Sequence, residues 1–159
     1  MTSAPTVLLT GATGFIGGAT LARLLESHSD CRVLLLARDR GSEAAADRVR
    51  HSLARFVGPE RAEDGIRSCE VIRGDVTDAS SLGLHVRCDT THAMHLATKE
   101  KVAAERLNDV THVIHLASNT SFRSIRSVRH TNIFGALTLA HRCTSGVGSC
   151  RCDNCTSRG

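Results

Sequence analysis

A glycine-rich turn, Thr10-Gly11-Ala12-Thr13-Gly14-Phe15-Ile16-Gly17, lies near the start of the chain and leaves few folds open to it. It follows a short apolar run at residues 6–9 and precedes residues 15–26, whose apolar positions recur at helical spacing. Gly11 permits a tight turn, Gly14 lets backbone N–H groups approach a pyrophosphate, and Gly17 lets the helix pack closely on the strand. The helix N-terminus adds unpaired donors and the positive end of its dipole. The segment is therefore predicted to be a strand–turn–helix unit that binds a dinucleotide.

Strands and helices alternate along the rest of the chain. An apolar run at residues 33–36 is typical of a strand that is buried on both faces of a parallel sheet. Ser42 is predicted to cap a helix in which Val49 and Leu53 share one face, and Gly58-Pro59 is predicted to end that helix. Further strands are predicted at residues 70–72 and 113–116, and further helices at residues 91–107 and 127–142. This alternation predicts an α/β fold, a Rossmann-type doubly wound parallel sheet that is incomplete on its C-terminal side.

The length of 159 residues and the hydrophobic content of 41% suit one domain with a single core. We expect residues 1–142 to form a truncated NAD(P)-binding domain. Residues 143–159 are rich in Cys and Ser and poor in aliphatic side chains, so we expect this tail to be disordered. No stretch approaches the ~20 apolar residues that span a bilayer, and no secretory leader is recognisable, so a cytoplasmic location is expected.

Composition argues against a nucleic-acid partner. The formal net charge of +4 is spread along the chain and gives only weak support for an acidic ligand such as a nucleotide phosphate. Aromatic residues make up 3% of the chain and all of them are Phe, so the stacking platforms of single-strand binders are missing. A small nucleotide therefore fits the composition better than a nucleic acid.

The residue after the second predicted strand indicates which dinucleotide is bound. About 20 residues beyond the glycine turn, NAD-binding proteins place an acidic side chain that hydrogen-bonds the ribose 2′-hydroxyl. Arg38 occupies that place here, Asp39 follows it, and Arg40 is a second basic candidate. A guanidinium can pair with a 2′-phosphate through two hydrogen bonds and can stack on adenine. NADP(H) is therefore favoured over NAD(H).

The glycine spacing of the turn, Gly-x-x-Gly-x-x-Gly, resembles that of the extended short-chain dehydrogenase/reductase superfamily. Residues 74–78, Gly-Asp-Val-Thr-Asp, resemble the adenine-contacting segment of that superfamily. The resemblance implies that Asp75 receives the exocyclic amine and that Val76 donates a backbone N–H.

The resemblance extends to the fourth predicted strand and the last helix. Residues 113–118 resemble the superfamily's fourth strand, which passes the nicotinamide ribose, and Asn132 and Gly135 resemble its central-helix asparagine and glycine. The residues expected to contact the nucleotide are Gly11, Thr13, Gly14, Phe15, Ile16, Gly17, Arg38, Asp75, Val76, Leu116, Ala117 and Ser118.

Within the superfamily, the sequence is most similar to the thioester-reductase or fatty-acyl-CoA-reductase branch, which has the male-sterility type of NAD-binding domain. The similar segments are Leu35-Leu36-Ala37-Arg38, the arginine-rich residues 46–53, and Asn119-Thr120-Ser121-Phe122. This likeness implies an oxidoreductase that uses NADPH to reduce an acyl thioester, on coenzyme A or an acyl carrier protein, to an aldehyde or alcohol. Nucleotide-sugar epimerases and dehydratases share most of these motifs, and a non-catalytic nucleotide-binding module is a further alternative.

The resemblance covers about residues 6–142, and no catalytic residue is assigned. Members of the superfamily continue into a strand with a catalytic Ser or Thr and a Tyr-x-x-x-Lys helix, whose tyrosine protonates the carbonyl oxygen. This sequence contains no tyrosine, and both of its lysines, Lys99 and Lys101, precede the last predicted helix. We therefore expect nucleotide binding without carbonyl reduction from these 159 residues.

No metal site is predicted from the sequence. His112 and His115 lie three residues apart on a predicted strand, so their side chains are expected on opposite faces. His92 and His95 have no further ligand at a convincing spacing. Four cysteines could supply thiolates, but their spacing is not that of paired zinc knuckles; they are Cys143, Cys150, Cys152 and Cys155.

Overall fold

The structure is a computed structural model that describes residues 4–78, 82, 107–121 and 124–146. Its elements are β1 (Thr6–Thr10), α1 (Phe15–Ser27), β2 (Arg32–Ala37), α2 (Ala45–Val57), α3 (Pro59–Arg67), β3 (Glu70–Arg73), β4 (His112–His115), α4 (Ile125–Arg129), a π-helical segment (His130–Phe134) and α5 (Gly135–Gly146).

The four strands form one parallel sheet in the order β3-β2-β1-β4. In this register Thr10, the last residue of β1, pairs with Leu36 on one side and with His115 on the other. Three strands therefore end along the same edge. The strand order is the 3-2-1-4 of a Rossmann sheet, which confirms the predicted α/β fold class.

Helices cover both faces of the sheet, which explains why β1 and β2 are apolar throughout. On one face, the fully buried Leu9 and Leu35 pack in a cluster with residues of α1, α2 and α3. On the other face, Leu8 and Leu34 pack in a cluster with Leu139 of α5. Replacing one of these leucines with alanine is expected to destabilise the fold by ~2–5 kcal/mol.

The start of α2 differs from the prediction, which was wrong about Ser42 as the cap. The helix is preceded by Ala44, and the Ala45 N–H donates to Asp39 Oδ1 at 2.9 Å. The intervening turn is closed by backbone hydrogen bonds between Arg40 and Glu43. This turn brings the Asp39 carboxylate back to the helix, so a more distant acceptor replaces the local serine.

A helix that the sequence did not predict follows α2 directly. Gly58, with φ +83°, ends α2 as expected, but Pro59 is also the first residue of α3. Proline suits this position because its missing N–H would have no partner in a first helical turn. Ala62 of α3 is fully buried in the core. A Cβ at Gly65 would lie 3.0 Å from Leu53, so α3 packs closely on α2.

The C-terminal elements occur where predicted but with different bounds. β4 begins and ends one residue earlier than residues 113–116. The last helical run begins at Ile125, where the Ser127 N–H donates to the hydroxyl of the capping Ser124. It contains the π-helical segment and continues through Gly146, so residues 143–146 are helical although they were expected to be disordered. Cys143 packs against the core, which extends the helix past its predicted end at Arg142.

Several predicted features lie outside the described residues. They include the helix over residues 91–107 apart from its last residue, the tail from residue 147 onward, both lysines, and the pair His92 and His95. Among the described helices, none combines the length and the apolar character that crossing a membrane requires.

Candidate functional site

A cleft of about 520 Å³ opens at the edge of the sheet where β1 and β2 end. It lies beside the point at which the strand order reverses, between β1 and β4, where ligands bind in open α/β sheets. Its volume falls in the range of small-molecule sites, roughly 300–1,000 Å³. All twelve residues that the sequence predicts to contact a nucleotide line this cleft. Six further residues also line it: Leu36, Ala37, Arg48, Gly74, Thr120 and Thr131.

Two glycines of the turn are required by the protein's own backbone. Gly11 has φ +80°, and a Cβ there would collide with the backbone of Leu116 and Ala117. A Cβ at Gly17 would collide with the carbonyl oxygen of Gly11. The turn therefore brings β1, α1 and the segment after β4 into contact at distances that only glycine allows.

Gly14 is glycine for a different reason. Its φ of −90° is open to any residue, and a Cβ there would have one protein neighbour outside the adjoining residues, the Gly11 oxygen at 3.4 Å. Because Gly14 lines the cleft and precedes the first residue of α1, a side chain would occupy space that the protein itself leaves open. In other proteins, the backbone N–H groups at a helix N-terminus bind phosphates when such space is open.

Helix α2 holds the turn in place through Ser52. The Ser52 hydroxyl is buried and donates to the carbonyl oxygen of Gly14 at 3.0 Å. A Cβ at Gly18 would lie 2.5 Å from the same hydroxyl, so α1 approaches α2 closely here. The sequence signal for this contact is a serine, Ser52, beside the apolar residues Val49 and Leu53 on the buried face of α2. This signal is absent from the sequence predictions above.

Two arginines stand on the β2 side of the cleft. Arg38 lines the cleft and lies 3.1 Å from Asp75 Oδ2, and its side chain is 67% exposed. Arg48 of α2 donates to the Arg38 carbonyl oxygen and lies 3.5 Å from the Thr13 hydroxyl. Arg48 thus connects the end of β2 to the glycine turn. The sequence analysis noted the arginine-rich helix but did not assign Arg48 to the site.

The two charged residues after Arg38 face elsewhere. Asp39 accepts the Ala45 N–H and lies 2.7 Å from Arg73 Nε, so its two carboxylate oxygens are each engaged outside the cleft. The backbone of Arg40 is paired with Glu43, and neither Asp39 nor Arg40 lines the cleft. The structure therefore does not bring Arg40, the second basic candidate, to the site.

Asp75 is held as a carboxylate. Its Oδ1 accepts the Thr77 N–H at 2.9 Å and the Thr77 hydroxyl at 2.8 Å, while Oδ2 receives Arg38. Burial alone would raise the pKa of this carboxyl, but the hydrogen bonds from Thr77 and the Arg38 guanidinium outweigh burial and hold the pKa below its usual value. Asp75 therefore presents a fixed acceptor and a negative charge beside Arg38.

The end of β4 is tied to the glycine turn through Thr10. The Thr10 hydroxyl lies 2.7 Å from His115 Nδ1 and accepts the Ala117 N–H at 3.3 Å. Burial lowers the pKa of His115 below its usual value, so the ring is neutral at pH 7. A neutral ring can accept the hydroxyl proton, which leaves the Thr10 oxygen free to accept from Ala117.

The segment after β4 is fixed from its other side by the π-helical segment. The Asn119 N–H donates to Asn132 Oδ1 at 2.7 Å, and Asn132 Nδ2 donates to the Asn119 carbonyl oxygen at 3.1 Å. The Asn119 side chain in turn donates to the Ser127 hydroxyl at 2.9 Å. Short π-helical segments inside α-helices occur frequently at functional sites. Asn132 lies within the segment, and its two hydrogen bonds hold the backbone at Asn119, between the cleft-lining Ser118 and Thr120.

The mouth of the cleft carries two exposed apolar side chains at the start of α1. Phe15 is 69% exposed and Ile16 is 68% exposed, although both are large and hydrophobic. Phe15 makes an edge contact with Phe56, with ring centroids 5.2 Å apart. Exposed apolar side chains beside a polar cleft are typical of surfaces that a ligand covers.

The sequence matches a family model described as male sterility protein over residues 9–151. This match covers most of the chain and includes the glycine turn, both cleft arginines and Asn132. A search of curated proteins gives no significant match.

Solved structures with the same fold include reductase domains and a dehydratase. The terminal R domain of the myxalamid PKS-NRPS biosynthetic pathway has 24% identity and a TM-score of 0.67, over 91% of this chain and 33% of that one. A thiolation-reductase di-domain from an archaeal non-ribosomal peptide synthetase has 17% identity and a TM-score of 0.64, over 89% and 26%. The dTDP-glucose 4,6-dehydratase of Bacillus anthracis str. Ames, in complex with NAD, has 18% identity and a TM-score of 0.52, over 89% and 34%. The chain thus spans about a third or less of the length of these proteins.

Proposed function

This chain belongs to the male sterility protein family, whose domains bind NAD(P), and from that membership we propose that its cleft binds NADP(H) in preference to NAD(H). We further propose that it is the cofactor-binding part of a reductase that acts on an acyl thioester. The observation that carries the first proposal is the pair of arginines that line the cleft on the side away from β4: Arg38, which follows β2, and Arg48 of α2.

The residues of the cleft suit a dinucleotide. The glycine turn and the start of α1 offer backbone N–H groups to a pyrophosphate, and Gly14 leaves room for it. By the resemblance to the short-chain dehydrogenase/reductase superfamily, Asp75 and Val76 would contact the adenine, and the segment Leu116-Ala117-Ser118 would contact the nicotinamide ribose; all five residues line the cleft. The exposed Phe15 and Ile16 would exclude water from the bound cofactor.

The charges near the end of β2 favour a 2′-phosphate. Arg38 and Arg48 both line the cleft, and among the described residues that line it Asp75 is the one acidic side chain. The carboxylate of Asp39, which directly follows Arg38, is engaged by the Ala45 N–H and by Arg73. It is therefore unsuited to accept a ribose 2′-hydroxyl, as the acidic residue of an NAD-binding protein does.

The proposed reaction follows from the family and from the reductase names of the similar structures. An acyl thioester takes up a hydride, which NADPH supplies, and a proton; the C–S bond breaks to give an aldehyde and a thiol. A second hydride and proton convert the aldehyde to an alcohol. The likeness to a thiolation-reductase di-domain favours a thioester held on a carrier protein, with acyl-CoA as the other source. The full reaction is proposed for a complete reductase of this family, since the chain spans about a third or less of the similar reductase structures.

The cofactor proposal is tested by measuring the affinities of NADPH and NADH for the chain and for an Arg38→Ala variant by calorimetry. Loss of a charge-assisted contact to the 2′-phosphate should cost ~1.5–3 kcal/mol, or about tenfold to a hundredfold in affinity for NADPH. Affinity for NADH should hardly change. An Arg48→Ala variant should also weaken NADPH binding, because Arg48 contacts the Arg38 backbone and Thr13.

The matched control is Arg55→Ala, on the same helix as Arg48 but exposed and absent from the lining of the cleft. This change should alter neither affinity. If Arg38→Ala weakened NADPH and NADH equally, Arg38 would have a structural role and the preference for NADP(H) would be refuted. Tighter binding of NADH than of NADPH by the unmodified chain would instead favour a dehydratase-like, NAD-dependent protein.

A further inference from the structure

The turn between α1 and β2 brings together three side chains that can bind a metal ion. His28, Asp30 and Cys31 each offer one ligand atom, and these atoms all lie within 4.8 Å of one another. Two backbone hydrogen bonds define the turn. The His28 N–H donates to the Leu24 carbonyl oxygen at 2.9 Å, and the Cys31 N–H donates to the His28 carbonyl oxygen at 3.2 Å. The backbone therefore holds the three ligands on one short turn.

We propose that His28, Asp30 and Cys31 bind a divalent transition-metal ion of the zinc class. Zinc–ligand distances are about 2.0–2.3 Å, so ligand atoms around a tetrahedral zinc lie roughly 3.3–3.6 Å apart. The ligand atoms of His28, Asp30 and Cys31 now lie within 4.8 Å of one another, so they must move closer together by about 1 Å. Rotation of the exposed His28 and Asp30 side chains allows this movement. An imidazole, a carboxylate and a thiolate together select zinc, cobalt or nickel over magnesium and calcium, which prefer oxygen ligands.

The site has three protein ligands, which leaves the fourth position of a tetrahedral ion to water. On binding, a bond forms between the metal and the Cys31 sulfur, and the thiol proton is released to the solvent.

The metal site is separate from the nucleotide cleft. Helix α1 begins at the cleft with Phe15 and ends at Ser27, so its 13 residues separate the two sites by ~20 Å. None of the three ligands lines the cleft. The spacing of the ligands, at positions i, i+2 and i+3, matches no recognised metal motif, so the sequence alone does not predict this site.

Cobalt binding tests this proposal, with Co²⁺ as the probe because a bound thiolate gives a charge-transfer band in the near ultraviolet. The protein is the full chain with Cys150, Cys152 and Cys155 replaced by serine, reduced and freed of metal. We expect saturable binding of one Co²⁺ with the thiolate band, and displacement of the band by Zn²⁺. Cys31→Ser on this background should abolish the band, and His28→Ala should weaken binding by at least about tenfold.

Cys69→Ser is the matched control. Burial raises the pKa of the Cys69 thiol to about 11, although a hydrogen bond with Ser68 opposes the shift, and this change should leave the band intact. NADPH affinity, measured on the same samples, should be unchanged by Co²⁺ and by Cys31→Ser. A band that survives Cys31→Ser, or a background protein that gives no thiolate band with Co²⁺, would overturn the proposal. Circular dichroism of each variant verifies that the fold is retained.

Discussion

Two glycines three residues apart give the most informative prediction, because the same small change should have opposite consequences at each. In Gly14→Ala, the added methyl group would lie 3.4 Å from the Gly11 carbonyl oxygen, which is ordinary contact, and φ of −90° suits alanine. In Gly17→Ala, the methyl group would collide with the same oxygen. Backbone atoms cannot rotate away as a flexible side chain can, so relief requires a shift of the helix or the turn.

The expected magnitudes follow from these contacts. Alanine is less favourable than glycine at a helix N-cap, so Gly14→Ala should lower the stability by ~1 kcal/mol or less, which lowers Tm by roughly 4 °C at most. Its methyl group enters the space proposed for the pyrophosphate and should remove one or two charge-assisted hydrogen bonds of ~1.5–3 kcal/mol each. NADPH affinity should therefore fall by at least about tenfold. Gly14→Val should bind more weakly still.

The assays are thermal unfolding by circular dichroism and NADPH titration by calorimetry. Gly14→Ala should unfold cooperatively near the parental Tm but bind poorly, whereas Gly17→Ala should lose ~3 kcal/mol or more of stability. If Gly14→Ala or Gly14→Val bound NADPH as tightly as the parent, the phosphate-binding role of this turn would be refuted. If Gly17→Ala were as stable as the parent, the packing of α1 on the turn would be described wrongly.

Three further predictions concern the segment after β4 and the chemistry. Burial lowers the pKa of His115 in the folded protein, so on acidification the unfolded chain binds the proton first, and the free energy of unfolding should fall as the pH drops from the unfolded pKa of about 6.5 through the lower folded pKa. In denaturant unfolding at pH ~7.5 and ~5, His115→Gln should show a smaller loss of stability than the parent. An unchanged pH dependence in this variant would contradict the prediction. Asn132→Ala removes both hydrogen bonds to the Asn119 backbone and should cost ~1–2 kcal/mol of stability and weaken NADPH binding, whereas Asn119→Ala keeps those two bonds and should do less. Since the 159 residues contain no tyrosine to protonate a carbonyl oxygen, they should not oxidise NADPH with acyl-CoA thioesters or aldehydes; turnover on the order of 1 s⁻¹ would require another proton donor.

Local patterns in the sequence were enough to predict the sheet and the cleft. The glycine turn was recognisable because its spacing suits a strand that passes directly into a helix, and in the structure Gly11 and Gly17 meet neighbouring backbone at distances that exclude a Cβ. The apolar run of β2 predicted burial on both faces, and helices cover it on both sides, α1 on one and α5 on the other. Arg38 then reaches the cleft simply because it follows β2, whose last residues end at that edge.

Contacts between residues distant in sequence were not predictable in the same way. Ser42 is a good capping residue by local preference, but Asp39 caps α2 because the turn between them folds back. The role of Arg48 depends on the packing of α2 beside the glycine turn, which periodicity does not specify. The hydrogen bond between Asn119 and Asn132 joins residues 13 apart, and Asn132 lies in a π-helical segment that no sequence pattern predicted. The start of α3 has a local signal, since Pro59 suits a first helical turn. Gly58-Pro59 predicts the end of α2, and in the structure it also begins α3.

The central claim is that this cleft binds NADPH. Amide chemical shifts of the isotopically labelled chain, recorded while NADPH is added, test it most directly because they locate the ligand on a folded protein. The account predicts saturable shifts at the amides of residues 11–17, at Arg38 and at Asp75 and Val76, with smaller shifts when NADH is added instead. A well-dispersed spectrum in which these amides stay unchanged, or in which the shifts cluster on another surface, would contradict it.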